Sequence, residues 1–433
     1  MTAQHYPWGC AAESKAPGLA RAQSPSDYAW IVNFNNGNSN WNHQNNEGLV
    51  RAVRPSECQG GVDLRDLHTA WRAARRGKKP SRDQLAFDLT WIDGLLELQE
   101  RLNAGTWAPS PSTCFVSTRP KAREIHAPAF ADRVVHHWLI PPLEAAYDHR
   151  FIHDSYANRR GKGTHRAVER LQQFAREVQS GQGGGWYLQL DIRNYFNRVH
   201  RPTLARMLDR RICRSDLPWE VRRTTMALLE APVASQIRYA CTARHRELVP
   251  PHKRLENAPE GCGIPIGNLS SQFFANVYLD ALDQFVKHAL KARRYLRYVD
   301  DFVLVHQDRE VLVAWRSQIE EFLASHLRLE IKPDPPLRPL SAGIDFLGYI
   351  IYPTHRLVRP RVLAHARERL SAWERRHVRR DRICANPRDL DALRSTWSSY
   401  LGHLRHANSY RARGRLLRRF DWLPEAMAPE AQA

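Results

Sequence analysis

Arg297-Tyr298-Val299-Asp300-Asp301-Phe302 is the stretch on which the reading of this chain turns. Tyr295 and Leu296 precede it and Val303, Leu304 and Val305 follow it. The pattern reads as two short buried strands joined by a tight turn that carries two carboxylates. Adjacent aspartates in an apolar hairpin are costly to bury unless they are paired or hold a cation. Taken alone, the hairpin favours a solvated Asp-Asp turn, so the decision rests on what the rest of the chain supplies.

A third acid, Asp191, ends the apolar run Trp186-Tyr187-Leu188-Gln189-Leu190 and is followed by Tyr195-Phe196. A lone aspartate at a strand end is commonly a helix cap. This one stands 109 residues before Asp300, with the Gly/Pro loop Gly261-Cys262-Gly263-Ile264-Pro265-Ile266-Gly267-Asn268 and an apolar helix between them. Phe274, Tyr278, Leu282, Phe285 and Ala289 form the helix stripe, and Ser270 or Ser271 is the expected cap. One strand-end acid plus an Asp-Asp turn is the layout that holds two divalent ions about 3.5–4 Å apart for in-line phosphoryl transfer. Hard oxygen donors point to Mg²⁺, with Mn²⁺ able to substitute.

The whole-chain numbers favour a polyanionic partner. In 433 residues, 65 Lys+Arg face 45 Asp+Glu, leaving +20 and a pI near 10.0. No run of 18 apolar residues is present, the N-terminus lacks a basic-then-apolar leader pattern, and the seven cysteines form no C-x-x-C pair. Neither a membrane partner, a disulfide framework nor a structural zinc site is therefore expected, and a cytoplasmic location is.

Several segments read on their own terms. From Asn33 to Asn46 eight of fourteen positions are Asn, which predicts a loop-like polar arm over residues 1–57. Helical periodicity runs from Leu64, with a second stretch from Leu85 to Leu102. Thr106 to Ile125 reads as strands, and a helix begins near Phe130. Gly161-Lys162-Gly163-Thr164 is not a phosphate loop, because position 156 is Tyr and position 163 is Gly where that motif needs Gly and Ser/Thr. Little structure is expected from Arg210 to Pro259, and Ile344 to Ile351 reads as strand. The C-terminal third is helical and basic, and its Trp373, Trp397, Tyr400 and Tyr410 interleaved with arginines suggest a nucleic-acid clamp.

From about Arg119 to Tyr410 the chain resembles the reverse transcriptases. The likeness is carried by Lys121-x-Arg123, by Asp191-x-x-x-Tyr195-Phe196, by Gly263-x-Pro265-x-Gly267, by Tyr298-x-Asp300-Asp301, by Leu329-x-Ile331-Lys332-Pro333 and by Phe346-Leu347-Gly348-Tyr349. The resemblance implies an α+β right-hand polymerase fold with helical and hairpin fingers, a ferredoxin-like palm and a helical basic thumb. It places fingers at 58–180, palm at 181–352 with a finger insertion at about 211–260, and thumb and tail at 353–433. It also implies Asp191, Ile192, Asp300 and Asp301 as metal-binding positions. Lys332 would protonate the pyrophosphate and Tyr298 would lie under the primer end. Lys121, Arg123, Phe196, Ile266, Gly267 and Gln272 would meet the incoming nucleotide, with Phe196 excluding a ribose 2′ hydroxyl. Template RNA, primer or cDNA, and dNTPs follow as partners.

Within that family, Ile264-Pro265-Ile266-Gly267-Asn268-Leu269-Ser270-Ser271-Gln272 is most like the bacterial diversity-generating retroelement enzymes. Many reverse transcriptases carry Gln where this chain has Ile266. An aliphatic group there is expected to loosen base discrimination, giving error-prone copying of a template repeat, and the subgroup implies a small basic accessory protein. Trp30 to Arg54 is similar to the variable ends of proteins such elements diversify, which makes the arm template-repeat-encoded and incidental to catalysis. The rivals are a retron, group II-like or defence-associated reverse transcriptase and, from another class, a catalytically idle nucleic-acid-binding protein.

Overall fold

The computed structural model describes residues 61–428 apart from 78, 119–120, 181–183, 235 and 381, together with the backbone of two short strands, β1 (Ile31–Val32) and β2 (Ser39–Asn40). Residues 1–60 form a unit of their own, in which β1 and β2 pair antiparallel with Ile31 opposite Asn40 and Val32 opposite Ser39. A strand pair therefore sits in a stretch whose composition reads as loop, because two-residue backbone pairing needs no apolar alternation. The rest of the Asn-rich arm lies outside the described residues.

In the second unit the chain first lays helices Leu64–Arg75, Arg82–Leu89 and Trp91–Asn103 around Leu67, Trp71, Leu95 and Leu98. The periodicity from Leu85 to Leu102 is thus two helices, broken at Thr90, which closes one and opens the next. Next come β3 (Ser112–Ser117) and β4 (Arg123–Ala127), paired antiparallel, with Cys114 opposite His126. The long helix Phe130–Tyr147 and the helix Thr164–Gln179 follow.

Four antiparallel strands make the central sheet: β5 (Trp186–Asp191), β7 (Tyr295–Tyr298), β8 (Asp301–His306) and β9 (Leu337–Pro339), in the order β7-β8-β5-β9. Helix Leu269–Gln284 lies between β5 and β7 in the chain, and helix Arg309–Phe322 between β8 and β9. This is the split β-α-β-β-α-β arrangement of a ferredoxin-like layer. Period-two alternation divides the sheet's side chains between two cores. Leu188, Leu190, Phe302 and Leu304 pack with the helices Leu269–Gln284 and Arg309–Phe322. Tyr187, Leu296, Val303 and Val305 pack with the helix Thr164–Gln179 and the C-terminal helices. With both faces covered, the sheet's chemistry is confined to its strand ends.

Three sequence expectations need correction here. The span from Arg210 to Pro259 is not bare. It holds the end of helix Arg201–Arg214, helix Trp219–Glu230, β6 (Ile237–Tyr239) parallel to β3, and the short helix Ala243–Glu247. Its apolar positions, among them Ile212, Val221, Leu229, Val249 and Leu255, are buried, and the surrounding arginines mask them. Ile344 to Ile351 is a hairpin of β10 (Ile344–Phe346) and β11 (Tyr349–Ile351), extended by β12 (Arg356–Val358). It turns at Leu347-Gly348, both with positive φ (49° and 92°), as a two-residue hairpin turn requires. The helix after the Gly/Pro loop is capped at Asn268, without a side-chain cap bond, and Ser270 and Ser271 are buried inside its first turn.

The C-terminal helices Pro360–His377, Pro387–Arg405 and Tyr410–Arg419 are present where the sequence places them. Their aromatics divide. Trp397 is core, Trp373 stacks on Trp422 at 4.8 Å between ring centroids, and Tyr410 is 82% exposed. Tyr400 is partly buried with its hydroxyl 2.7 Å from His365 Nδ1, so of these four Tyr410 is the most open to solvent.

Candidate active site

Register brings the acids together. In the β5–β8 ladder Asp191 pairs directly with Asp301, and Tyr298 pairs with Asp301 across β7–β8. Val299 and Asp300 therefore form a two-residue turn at the same sheet end, and the Ile192 amide donates to the Asp300 carbonyl at 3.3 Å. Val299 takes φ +57°, a costly conformation for a β-branched residue, on the order of 1–3 kcal/mol.

Three carboxylates on one edge repel one another. Burial first, and the Asp191 charge next, push Asp300 up to about 6. Burial also pushes Asp301 up to about 7, against the hydrogen bond that Gln189 Nε2 donates to its Oδ1 at 3.0 Å, with Asp191 and Asp300 adding to the rise. Lys332, whose backbone amide donates a hydrogen bond to the Asp191 carbonyl (2.8 Å), pairs its Nζ with Asp191 Oδ2. Asp191 Oδ1 is buried and has no hydrogen-bond partner among the described residues. Clustered acids with raised pKa values and an idle carboxylate oxygen suit a divalent cation.

The turn is pinned from beneath by a group that residue-type reasoning passes over. Arg297, 0% exposed, donates from Nε and Nη2 to Asp283 at 2.6–3.0 Å, from Nη1 to the Val299 carbonyl at 3.0 Å and to Asn276 Oδ1 at 3.2 Å. Burial works against its charge, but the Asp283 carboxylate more than offsets this and the pKa is raised. Tyr295 donates its hydroxyl to the same Asp283 at 2.7 Å. An arginine inside an apolar strand, with an aspartate one helix earlier, was the available signal. Gln189, which holds Asp301, had none beyond its place in β5.

The other predicted residues are placed unevenly. Arg123, exposed at the start of β4, lies near enough to Asp300 for its charge to favour the carboxylate. Lys121 is exposed in the connection before β4, and Gln272 is exposed on the helix Leu269–Gln284. Phe196 is half-buried against the core, and its carbonyl accepts from the Ile264 amide at 2.9 Å. Ile266 accepts from the His126 amide at 2.7 Å, which docks the Gly/Pro loop onto β4. The hydroxyl of Tyr298 lies 3.2 Å from Thr164 Oγ1, at the start of a helix that follows Gly163. Gly267 has φ +127°, and a Cβ there would stand 2.7 Å from the His126 carbonyl oxygen. Gly267→Ala should therefore cost about 1–3 kcal/mol in urea unfolding, whereas exposed Gly77→Ala, with nothing near its Cβ, should lose only its φ term. Equal losses at the two sites would show that the docking contact carries no strain.

The family model described as reverse transcriptase (RNA-dependent DNA polymerase) matches residues 116–351, more than half of the chain. The chain belongs to the reverse transcriptase family. Its members are RNA-directed DNA polymerases, and the four-stranded ferredoxin-like sheet with helices on both faces is the palm of their right-hand fold. Protein YkfC of Escherichia coli (strain K12) is 25% identical over 299 residues, which is 61% of this reverse transcriptase and 71% of YkfC. Among solved structures, a Candida albicans telomerase in complex with a fragment of telomeric RNA aligns at TM-score 0.38 and 12% identity, over 61% of this chain and 51% of that one. An apo telomerase from Candida tropicalis aligns at TM-score 0.41 and 13% identity, over 57% and 54%. The chain thus spans about half the length of those telomerase chains. No helix among the described residues is long and apolar enough to cross a membrane.

Proposed function

We propose that this reverse transcriptase copies RNA into DNA by two-metal phosphoryl transfer, and that it does so with low fidelity at template adenines within a diversity-generating retroelement. The observation that carries the chemistry is the register pairing of Asp191 with Asp301 beside the Asp300 turn, with Asp191 Oδ1 unpartnered. Asp191, Asp300 and Asp301, with the Ile192 backbone beside them, would hold the ions, Mg²⁺ by the hardness of the donors. When bound, such a pair lowers the pKa of a primer 3′ hydroxyl and stabilises charge on the departing pyrophosphate.

The chain's own groups supply the rest. Arg123 and Lys121 are cations on the finger hairpin available to an incoming triphosphate, and Lys332 Nζ is the proton donor for the leaving pyrophosphate. Tyr298, steadied by Thr164, supports the primer end, and Phe196 bounds the sugar. The basic C-terminal helices, with exposed Tyr410, grip the template–primer duplex through its phosphates. Fingers, palm and thumb would take the ranges 58–180, 181–352 and 353–433.

Low fidelity rests on Ile266. Its backbone is hydrogen-bonded to β4, and its partly buried side chain offers an aliphatic surface where an amide would donate and accept hydrogen bonds. Primer extension on a defined RNA with dNTPs and Mg²⁺, followed by sequencing, tests both claims. Misincorporation should concentrate at template adenines, and Ile266→Gln should reduce it there while leaving the other three bases little changed. Errors spread evenly over all four template bases would remove the retroelement reading while leaving the polymerase one intact. A small basic accessory protein, if the subgroup assignment holds, would stimulate this extension.

A further inference from the structure

A second cluster of ligating side chains lies outside the catalytic edge, on the far side of the finger hairpin. Alternation along β4 exposes Arg123 and buries Glu124 and His126, which are 3% and 1% exposed. Cys114, fully buried, is the cross-strand partner of His126 in β3, and β6 pairs with Cys114 on its other side through Tyr239. One ligand atom from each of Cys114, Glu124 and His126 falls within 4.8 Å of the other two.

The cluster is poorly satisfied without a further occupant. Glu124 Oε2 accepts the Leu255 amide at 2.9 Å and faces His126 Nε2 as an ion pair, but among the described residues Glu124 Oε1 and His126 Nδ1 have no hydrogen-bond partner. Leaving a buried polar group unpaired costs about 1–3 kcal/mol each. The His126 Nε2 to Glu124 Oε2 separation is 3.5 Å. Two ligands on a tetrahedral zinc with bonds of about 2.0–2.3 Å stand about 3.3–3.8 Å apart, so this pair already has the spacing. Arg246, a cation close enough to act on the cluster, is turned to Glu256.

We propose that Cys114 Sγ, Glu124 and His126 Nε2 form a zinc-class transition-metal site that clips β3 to β4. Thiolate and imidazole are borderline-soft donors that suit Zn²⁺ and not Mg²⁺, so this site is distinct in chemistry from the aspartates. Thiolate and carboxylate together balance the charge of one divalent ion, and the imidazole stays neutral. Binding releases the Cys114 proton, because the thiolate and not the thiol is the ligand. The consequence reaches the nucleotide site through the backbone. His126 donates its amide to the Ile266 carbonyl, and Arg123 begins the same strand, so a clipped hairpin holds both in place.

Tag-free full-length protein purified without chelator, analysed by plasma mass spectrometry, should carry about one zinc per chain. After stripping, titration with Co²⁺ should produce a near-ultraviolet thiolate-to-cobalt band that saturates at one equivalent. Added Zn²⁺ should raise the melting temperature of the stripped protein. Cys114→Ser and His126→Ala should each abolish the cobalt band, whereas Asp191→Asn and Asp300→Asn should keep it. Stripped wild-type protein that gives no thiolate-to-cobalt band, or a band that survives Cys114→Ser, would overturn the site. Because the wild-type spectrum decides, a variant that fails to fold leaves the test standing, and metal content is read independently of polymerisation.

Discussion

Asp300→Asn should abolish primer extension, by at least about 10³-fold in kcat, without lowering the melting temperature of the metal-free protein. The loss corresponds to about 4 kcal/mol of transition-state stabilisation. The stability half follows from the electrostatics. Asp300 is buried beside Asp191 and Asp301, and its carboxyl is pushed up to about 6 by burial and by the Asp191 charge. An amide of the same shape removes the ionisation cost and one arm of the repulsion, while the backbone bond from the Ile192 amide is untouched. The pH dependence has a definite sign. The folded-state pKa values of Asp300 and Asp301, about 6 and about 7, lie above the ordinary aspartate value of 3.8. Between roughly pH 4 and pH 7 the folded protein therefore binds more protons than the unfolded chain, and metal-free stability falls as pH rises through that window. Thermal melts of the wild type and of Asp300→Asn from pH 4.5 to 8 check this, with the variant showing the shallower decline. An Asp300→Asn protein that polymerises at near wild-type rate would remove Asp300 from the metal site and favour a nucleic-acid-binding role for the scaffold.

What the sequence disclosed, and what it hid, follows from the range of the interactions involved. The Asp-Asp hairpin, Asp191 at the end of its strand and the stripe of the Leu269–Gln284 helix are set by alternation and helical period, and each stands where those periods place it. The pairing of Asp191 with Asp301 is a register, and register across more than a hundred residues is fixed by which faces are buried. Local pattern suggested that meeting and could not measure it. Trp373 and Trp397 misled because interleaved aromatic and basic residues have the same spacing whether the rings face solvent or a neighbouring helix. The 210–259 span misled in the opposite direction, since Val221, Thr225 and Leu229 keep a helical period that the flanking arginines conceal. Gln189 gave no local signal because Asp301 comes from another strand, and Glu124 and His126, which share β4, are completed only by Cys114 from β3.

Arg297 is the residue whose loss should damage the fold most, and Arg297→Met should lower unfolding free energy by about 3–5 kcal/mol. The ion pair with Asp283 is fully desolvated on both sides, so removing the guanidinium leaves a buried carboxylate without its cation. That carboxylate would then face only the Tyr295 hydroxyl, with Asp280 nearby, itself pushed up to about 6 by burial and the Asp283 charge. The same substitution frees the Val299 carbonyl, which Arg297 Nη1 holds at 3.0 Å. Val299 keeps its φ of +57° against intrinsic preference, and losing that bond should let the turn relax and move Asp300. Two effects are therefore combined, and two variants separate them. Arg297→Met with Asp283→Leu replaces the pair by apolar groups and should recover most of the stability, because a buried ion pair is worth little against well-packed hydrophobes. It should not recover kcat, since the turn still lacks its anchor. Arg297→Lys keeps the charge but cannot reach Asp283, Asn276 and the Val299 carbonyl at once, so it should retain more stability than activity. Urea unfolding and single-nucleotide primer extension on the same preparations read the two quantities. Should the double variant regain activity in step with stability, the Val299 anchor would have no part in positioning Asp300, and Arg297 would serve packing alone.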